Sequence, residues 1–158
     1  MTIIPKNRAA LALRDRGLRR TGPRQVVLEV VRATDAHPTA EGVHGMVRRR
    51  LPRVSLGTVY RNLRTLVAAG LVKQLPGPHA RFDGNVSEHH HFTCTACGRI
   101  VDVAGALAET SARALSARIA SLTGLGITHQ RIEFYGRCAK CRARSSRRSG
   151  RRRERRSS

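Results

Sequence analysis

Two Cys-x-x-Cys pairs, Cys94 and Cys97 in "CTAC" and Cys138 and Cys141 in "CAKC", constrain this chain more than any other feature. Each pair is a knuckle that can present two sulfurs to one ion. About forty residues separate the knuckles, and two of them can close a tetrahedral thiolate cage, the arrangement that Zn²⁺ favours. A site with four cysteines leaves no coordination position open, so it is structural. The strand and helix between the pairs must then fold back, and the ion staples the end of this region to its beginning. Four unrelated thiols and two disulfides are the competing readings.

The compartment bears on that choice. No apolar run reaches the length of a membrane span, and the first residues lack the apolar segment of a secretory signal. The expected location is the cytoplasm, a reducing compartment in which paired cysteines serve as metal ligands rather than disulfides.

Charge is distributed unevenly. The net charge is +21, of which residues 1–83 carry +11, residues 84–141 carry +2 and residues 142–158 carry +8. The first half and the tail suit a polyanion, and nucleic acid is the obvious candidate. An anionic membrane fits poorly, because no basic segment also has a strong apolar face.

The first half reads as four helices. "NRAALALRDRG" is stopped by Gly17. "TGPRQVVLEVVRAT" has Thr21 as its cap, with Val26, Val27, Val30 and Val31 as its apolar face. "TAEGVHGMVRRRL" starts at Thr39. "SLGTVYRNLRTLVAAG" is capped by Ser55, ended by Gly70 and buried along Val59, Leu63, Leu66 and Val67. "LVKQLPGPHARFDG" follows as two short strands around a Pro/Gly turn. Beyond it, "HHHFTC" and "RIVDV" are strands joined by the first knuckle, and "GALAETSARALSARIASLTG" is a helix. "GITHQRIEFYGRC" is a strand carrying Ile127, Ile132 and Phe134. The tail "RARSSRRSGRRRERRSS" has nothing to bury and is expected to be disordered. The domains expected are 1–83, 84–141 and a tail over 142–158, with the boundary near residues 83–87.

Three helices, a fourth behind a short loop, and a two-stranded wing make the order of a winged helix-turn-helix. The fourth helix would enter the major groove. Thr58, Tyr60, Arg61, Arg64 and Thr65 face away from its apolar stripe, and Arg61 can pair bidentately with guanine. Arg48, Arg49, Arg50 and Arg53 lie just upstream, while Arg16, Arg19, Arg20 and Arg24 flank the second helix. A solvated basic face on a helical bundle is the plainer alternative.

In "SEHHHFTC", His89 and His91 project from one face of a strand and His90 from the other. Two imidazoles two residues apart can share an ion, but they need further ligands. Asp83 in "RFD", Asp102 in "RIVDV" and His37 in "AHPTAE" are the nearest candidates. Alone, His37 reads equally as a helix-start histidine and Asp83 as a turn residue.

"HPTAE", "VSLGTVYRNL", "AGLV", "RFD", "HHHFTCTACGRIVDV", "IEFYGRC" and "CAKC", in this order and spacing, closely resemble the ferric uptake regulator superfamily over roughly residues 8–142. The resemblance implies a homodimeric, metal-dependent repressor that binds double-stranded operator DNA. The implied architecture is α+β, a winged helix-turn-helix domain followed by a small α/β dimerisation domain with a Cys₄ zinc site. It also implies a second, regulatory site with ligands at His37, Asp83, His89, His91 and Asp102. An ion drawing donors from both domains would set the angle between them, and with it the fit of two recognition helices to DNA.

Three imidazoles and two carboxylates without sulfur suit Fe²⁺ or Mn²⁺. Asp102 stands where the peroxide-responsive members of the family have Asp and iron sensors often have Glu. His37 and His89 stand where the peroxide-responsive members are oxidised. The chain is therefore most similar to those members, with an iron-responsive repressor as the alternative and a manganese or zinc sensor behind it. Some relatives have a third site, whose positions fall near Glu88, His90, Glu109 and Gln130. Gln130 replaces an expected His, and His129 is one residue off, so a full third site is not expected. His44 and His79 read as surface residues. The tail either adds non-specific DNA affinity or is an inert extension. No enzyme is expected. A non-haem iron oxygenase would use the same histidines, but the chain offers no β-rich barrel and no place for an organic substrate. A zinc-ribbon adaptor without sensing would leave the five regulatory residues unexplained.

Overall fold

The computed structural model describes residues 6–77, 79–87, 89–103, 106–128, 130 and 132–144. The chain divides into two compact units, Met1–Ser87 and Glu88–Ser158. The first contains helices α1 (Lys6–Asp15), α2 (Gly22–Arg32), α3 (Ala40–Arg48) and α4 (Leu56–Ala68), followed by strands β1 (Lys73–Leu75) and β2 (Arg81–Asp83).

Local chemistry starts and stops these helices. The hydroxyls of Thr21, Thr39 and Ser55 accept from the N–H groups of Arg24, Gly42 and Thr58, three residues on in each case. At the far end of α4, Gly70 takes the left-handed conformation, φ 68°, and the Leu71 N–H returns to the Leu66 carbonyl at 2.9 Å. That closure turns the chain directly into the antiparallel β1–β2 hairpin, with Lys73 opposite Asp83 and Leu75 opposite Arg81.

Leu13, Val27, Leu28, Val31, Val43, Val47, Val59, Leu63 and Leu66 are fully buried, and Phe82 of the hairpin closes the core. The helix faces differ slightly from the periodic reading. Leu28 is buried and Val30 only partly so, because α2 is contacted from two sides, by α3 and by α4. Val67 of α4 is half-buried, and Asn62 takes a place on the buried face.

The second unit contains β3 (His90–Cys94), β4 (Ile100–Val103), α5 (Ala106–Thr123) and β5 (Glu133–Gly136), with strand order β4-β3-β5. β4 is antiparallel to β3 and places Asp102 opposite His91. β5 is parallel to β3 and places Gly136 opposite Cys94. The last strand is shorter than its sequence suggests, because only Glu133–Gly136 meet β3. Ile127 lies outside it, and Phe134 is 42% exposed rather than buried. Residues 139–144 are helical and run past residue 141, where the basic tail was expected to begin; residues 145–158 lie outside the described residues. Among the described residues, every buried apolar side chain except Cys94 belongs to the first unit.

Candidate metal centres and nucleic-acid interface

The parallel pairing of β3 with β5 closes the gap between the two knuckles. The Thr95 N–H donates to the Gly136 carbonyl at 2.7 Å, and two residues later the Cys138 N–H donates to Cys94 Sγ at 3.3 Å. The first knuckle is itself a tight turn, with the Gly98 N–H on the Cys94 carbonyl and the Cys94 N–H on the Arg99 carbonyl, both at 2.8 Å. All four sulfurs lie within 4.8 Å of one another, and Cys97 Sγ is 3.9 Å from Cys138 Sγ. A tetrahedral ion with metal–sulfur bonds of about 2.3 Å sets sulfurs about 3.8 Å apart, so the residues fit Zn²⁺. The Cys94 thiol is pulled down to about 6, first by the Cys138 N–H, then by those of Ala96 and Cys97. Cys141 is pushed up to about 12 by its hydrogen bonds to Cys97 and then Cys138. Thiolate is the form that binds metal, so Cys94 is the ligand best prepared by the backbone.

The histidine stretch brings a second donor set together in the same unit. His89 Nε2 and His91 Nε2 are 3.0 Å apart, and their Nε2 atoms lie 3.5 and 3.6 Å from Asp102 Oδ1. Donors held about 2.0–2.1 Å from one ion sit roughly 3.0–3.5 Å from each other, so these three atoms also fit a metal. His90 faces the other way, toward the ring of Phe134 at 6.3 Å. The strand alternation and the register with β4 place these residues as the sequence pattern suggested.

His37 and Asp83 meet in the first unit. Both are buried, and His37 Nε2 lies 3.9 Å from Asp83 Oδ1. Asp83 is also held locally, since Oδ1 accepts from the Asn85 N–H at 2.7 Å. His37 takes φ 47°, in the left-handed region.

Of the third-site positions, Glu88 and His129 lie outside the described residues, as does the side chain of Glu109. Gln130 accepts from the Ser116 hydroxyl.

The residues expected to read DNA lie on the surface of α4 to different degrees. Arg61 and Arg64 are exposed, Tyr60 is 40% exposed and Thr58 half-buried. Thr65 donates its hydroxyl to the Arg61 carbonyl at 2.9 Å. Sequence reasoning missed the partner of Tyr60, whose hydroxyl donates to Glu41 of α3 at 2.7 Å. That bond holds the Glu41 carboxyl below its ordinary value and the Tyr60 phenol above it.

Two of the arginines singled out around the helices, Arg24 and Arg50, have partners within the first unit. Arg24 donates through Nε to Asn62 Oδ1 of α4 at 3.2 Å and through Nη1 to the carbonyl of exposed Arg19 at 2.7 Å. Arg50 pairs with buried Glu29 of α2 at 2.6 Å, an acid that also accepts from Gln25 at 2.8 Å. Asn62 was detectable as a polar residue three positions after Val59 on a buried stripe. His44 is a further correction, because its Nε2 lies 3.0 Å from the Val54 carbonyl and ties α3 to the turn before α4. His79 is exposed, as expected.

A winged helix-turn-helix unit joined to an α/β unit with a thiolate cage and a histidine–carboxylate donor set defines a metal-dependent, DNA-binding repressor. The profile described as "Ferric uptake regulator family" matches residues 15–135. The peroxide operon regulator of Bacillus subtilis is 39% identical over 132 residues, covering 82% of this chain and 88% of that protein. The peroxide-responsive repressor PerR of Staphylococcus saprophyticus is 36% identical over 133 residues, covering 82% and 86%. The ferric uptake regulator of Pseudomonas aeruginosa, solved with manganese, is similar in structure with a TM-score of 0.65, 28% identity and coverage of 86% and 99%. The chain belongs to the ferric uptake regulator family. Repressors of this family dimerise and bind operator DNA. Among the described residues, no helix is long and apolar enough to cross a membrane.

Proposed function

We propose that this chain is a cytoplasmic, homodimeric repressor that leaves its operator when peroxide oxidises a histidine in its regulatory site. One observation carries the reading: His89, His91 and Asp102 present two nitrogens and a carboxylate oxygen to one point, with no sulfur among them. Such donors suit Fe²⁺ or Mn²⁺. His37 and Asp83, paired in the DNA-binding unit, are the further ligands that the family resemblance implies. Two relatives above 35% identity named for peroxide support the signal.

An Fe²⁺ ion bound by these residues would supply the electrons that reduce peroxide beside its ligands, which Mn²⁺ would do far less readily. The net change converts a ring C–H of His37 or His89 to a carbonyl; one peroxide oxygen enters the ring and the other leaves as water. The altered ring is a poor donor, and the units are no longer held for two successive major-groove sites. One histidine is consumed per event, so the chain is a sensor and not an enzyme. On the DNA, Thr58, Tyr60, Arg61 and Arg64 read the groove, and Arg19 contacts the backbone.

On α5, Leu115, Ile119 and Leu122 are exposed apolar side chains at helical spacing. This is the surface that a second copy covers.

The test starts from DNA selected by the Mn²⁺ form out of a random pool. The Fe²⁺ form should lose that DNA after a brief micromolar peroxide pulse and gain one oxygen on His37 or His89 by peptide mass spectrometry. The Mn²⁺ form should stay bound and unmodified. An Fe²⁺ form that holds its operator with both histidines intact would replace this reading with an iron-responsive repressor.

A further inference from the structure

The backbone at His37 is the unusual feature of the DNA-binding unit. Among the described residues it is the one non-glycine position with positive φ, at 47°. A side chain with a β-carbon disfavours that region, and a residue before proline, here Pro38, favours an extended conformation instead. Something must hold it. The His37 carbonyl accepts from the Arg81 guanidinium at 3.0 Å, and the Pro38 carbonyl accepts from the Phe82 N–H at 2.9 Å. Thr39 and Arg81 add an isolated antiparallel bridge. All three contacts come from β2, the second strand of the wing.

Strand alternation puts Arg81 and Asp83 on one face of β2, while Phe82 points into the core. The same strand face therefore clamps the His37 backbone and sets a carboxylate 3.9 Å from its ring. The charge of Arg81 gives no reason for its presence, since a cation beside a divalent metal site is repulsive. Its geometry does give one. We infer that Arg81 is a positioning residue for the regulatory site: it pins the His37 backbone in the left-handed conformation that turns the imidazole toward Asp83, and so couples the wing to the metal. This rests on the reading of His37 as a ligand. It adds a route from site to DNA inside one unit, because release of His37 frees the strand that forms the wing.

The experiment uses the full-length, zinc-loaded chain and measures Mn²⁺ binding by equilibrium dialysis with paramagnetic resonance detection of the free ion. Thermal melting without Mn²⁺ is measured in parallel. Residues that orient metal ligands commonly change affinity by about 10–100-fold when replaced. Arg81→Ala should weaken Mn²⁺ binding at least roughly ten-fold. Arg81→Lys, which keeps a cationic N–H donor, should recover a large part of that loss. Unchanged or tighter binding in Arg81→Ala overturns the proposal, and tighter binding would mark a purely electrostatic effect. Equal loss in both variants with equally lowered melting overturns it as well, because it marks a general structural role. His37→Ala separates the two readings: if that variant binds Mn²⁺ normally, the ligand assignment itself fails, whatever Arg81 does.

Discussion

Gly84 has no room for a side chain. A β-carbon there would lie 2.6 Å from Arg32 Cα and 2.8 Å from both Arg32 N and the Val31 carbonyl oxygen, all backbone atoms at the end of α2. None of these can rotate away, so the strand end or the helix end must move. Gly84 directly follows Asp83, and movement of the strand end would displace the carboxylate. Gly84→Ala is expected to cost about 1–3 kcal/mol through overpacking. For a domain of this size, that lowers the melting temperature by roughly 4–8 °C per kcal/mol. It should also weaken Mn²⁺ binding. A melting curve and a Mn²⁺ titration check both parts; normal stability with normal binding would show that α2 yields freely at Arg32.

Among the described residues, the buried apolar side chains concentrate in the first unit. In the second, Cys94 is the single buried apolar side chain among the described residues, and none of the described side chains of α5 is buried. The zinc cage is therefore expected to carry much of this unit's stability. Structural zinc contributes roughly 10–16 kcal/mol to folding in small zinc peptides. Cys97→Ser is therefore expected to lose zinc, dimerisation and solubility together, as read by metal content and sedimentation. A soluble, dimeric, zinc-free variant would remove the structural role of the cage. The same division explains what the sequence disclosed. Thr21, Thr39 and Ser55 were legible as caps because capping is satisfied within three residues. The CxxC pairs and the His89/His91 alternation were legible because their spacing is short. The partnerships of Arg81 with His37, Tyr60 with Glu41 and Arg50 with Glu29 join residues 19 or more positions apart, and no local pattern announces them. β5 was overextended for the same reason: its length is set by β3, about forty residues earlier.

For the molecule as a whole, charge and shape make separate contributions to DNA binding. Residues 145–158 hold seven arginines and one glutamate and lie beyond the winged-helix unit by more than fifty residues. Arginines there that meet phosphates release counterions, steepening the salt dependence by about 0.9 in log–log slope per contact and favouring all DNA alike. Arg61 is proposed for the opposite role. It is exposed on α4 beside Arg64, on a helix capped by Ser55 and tied to α2 through Asn62 and Arg24. A guanidinium on such a rigid support can discriminate base edges, at about 1–3 kcal/mol per bidentate pair. Deleting residues 145–158 should flatten the salt slope and lower affinity for operator and random DNA by the same factor. Arg61→Ala should leave random DNA nearly unaffected and lose about 1–3 kcal/mol on the operator alone. Both are read from binding isotherms on the two DNAs across a salt series. An unchanged slope after truncation would make the tail inert, while a specificity change from truncation without one from Arg61→Ala would move the reading surface away from α4.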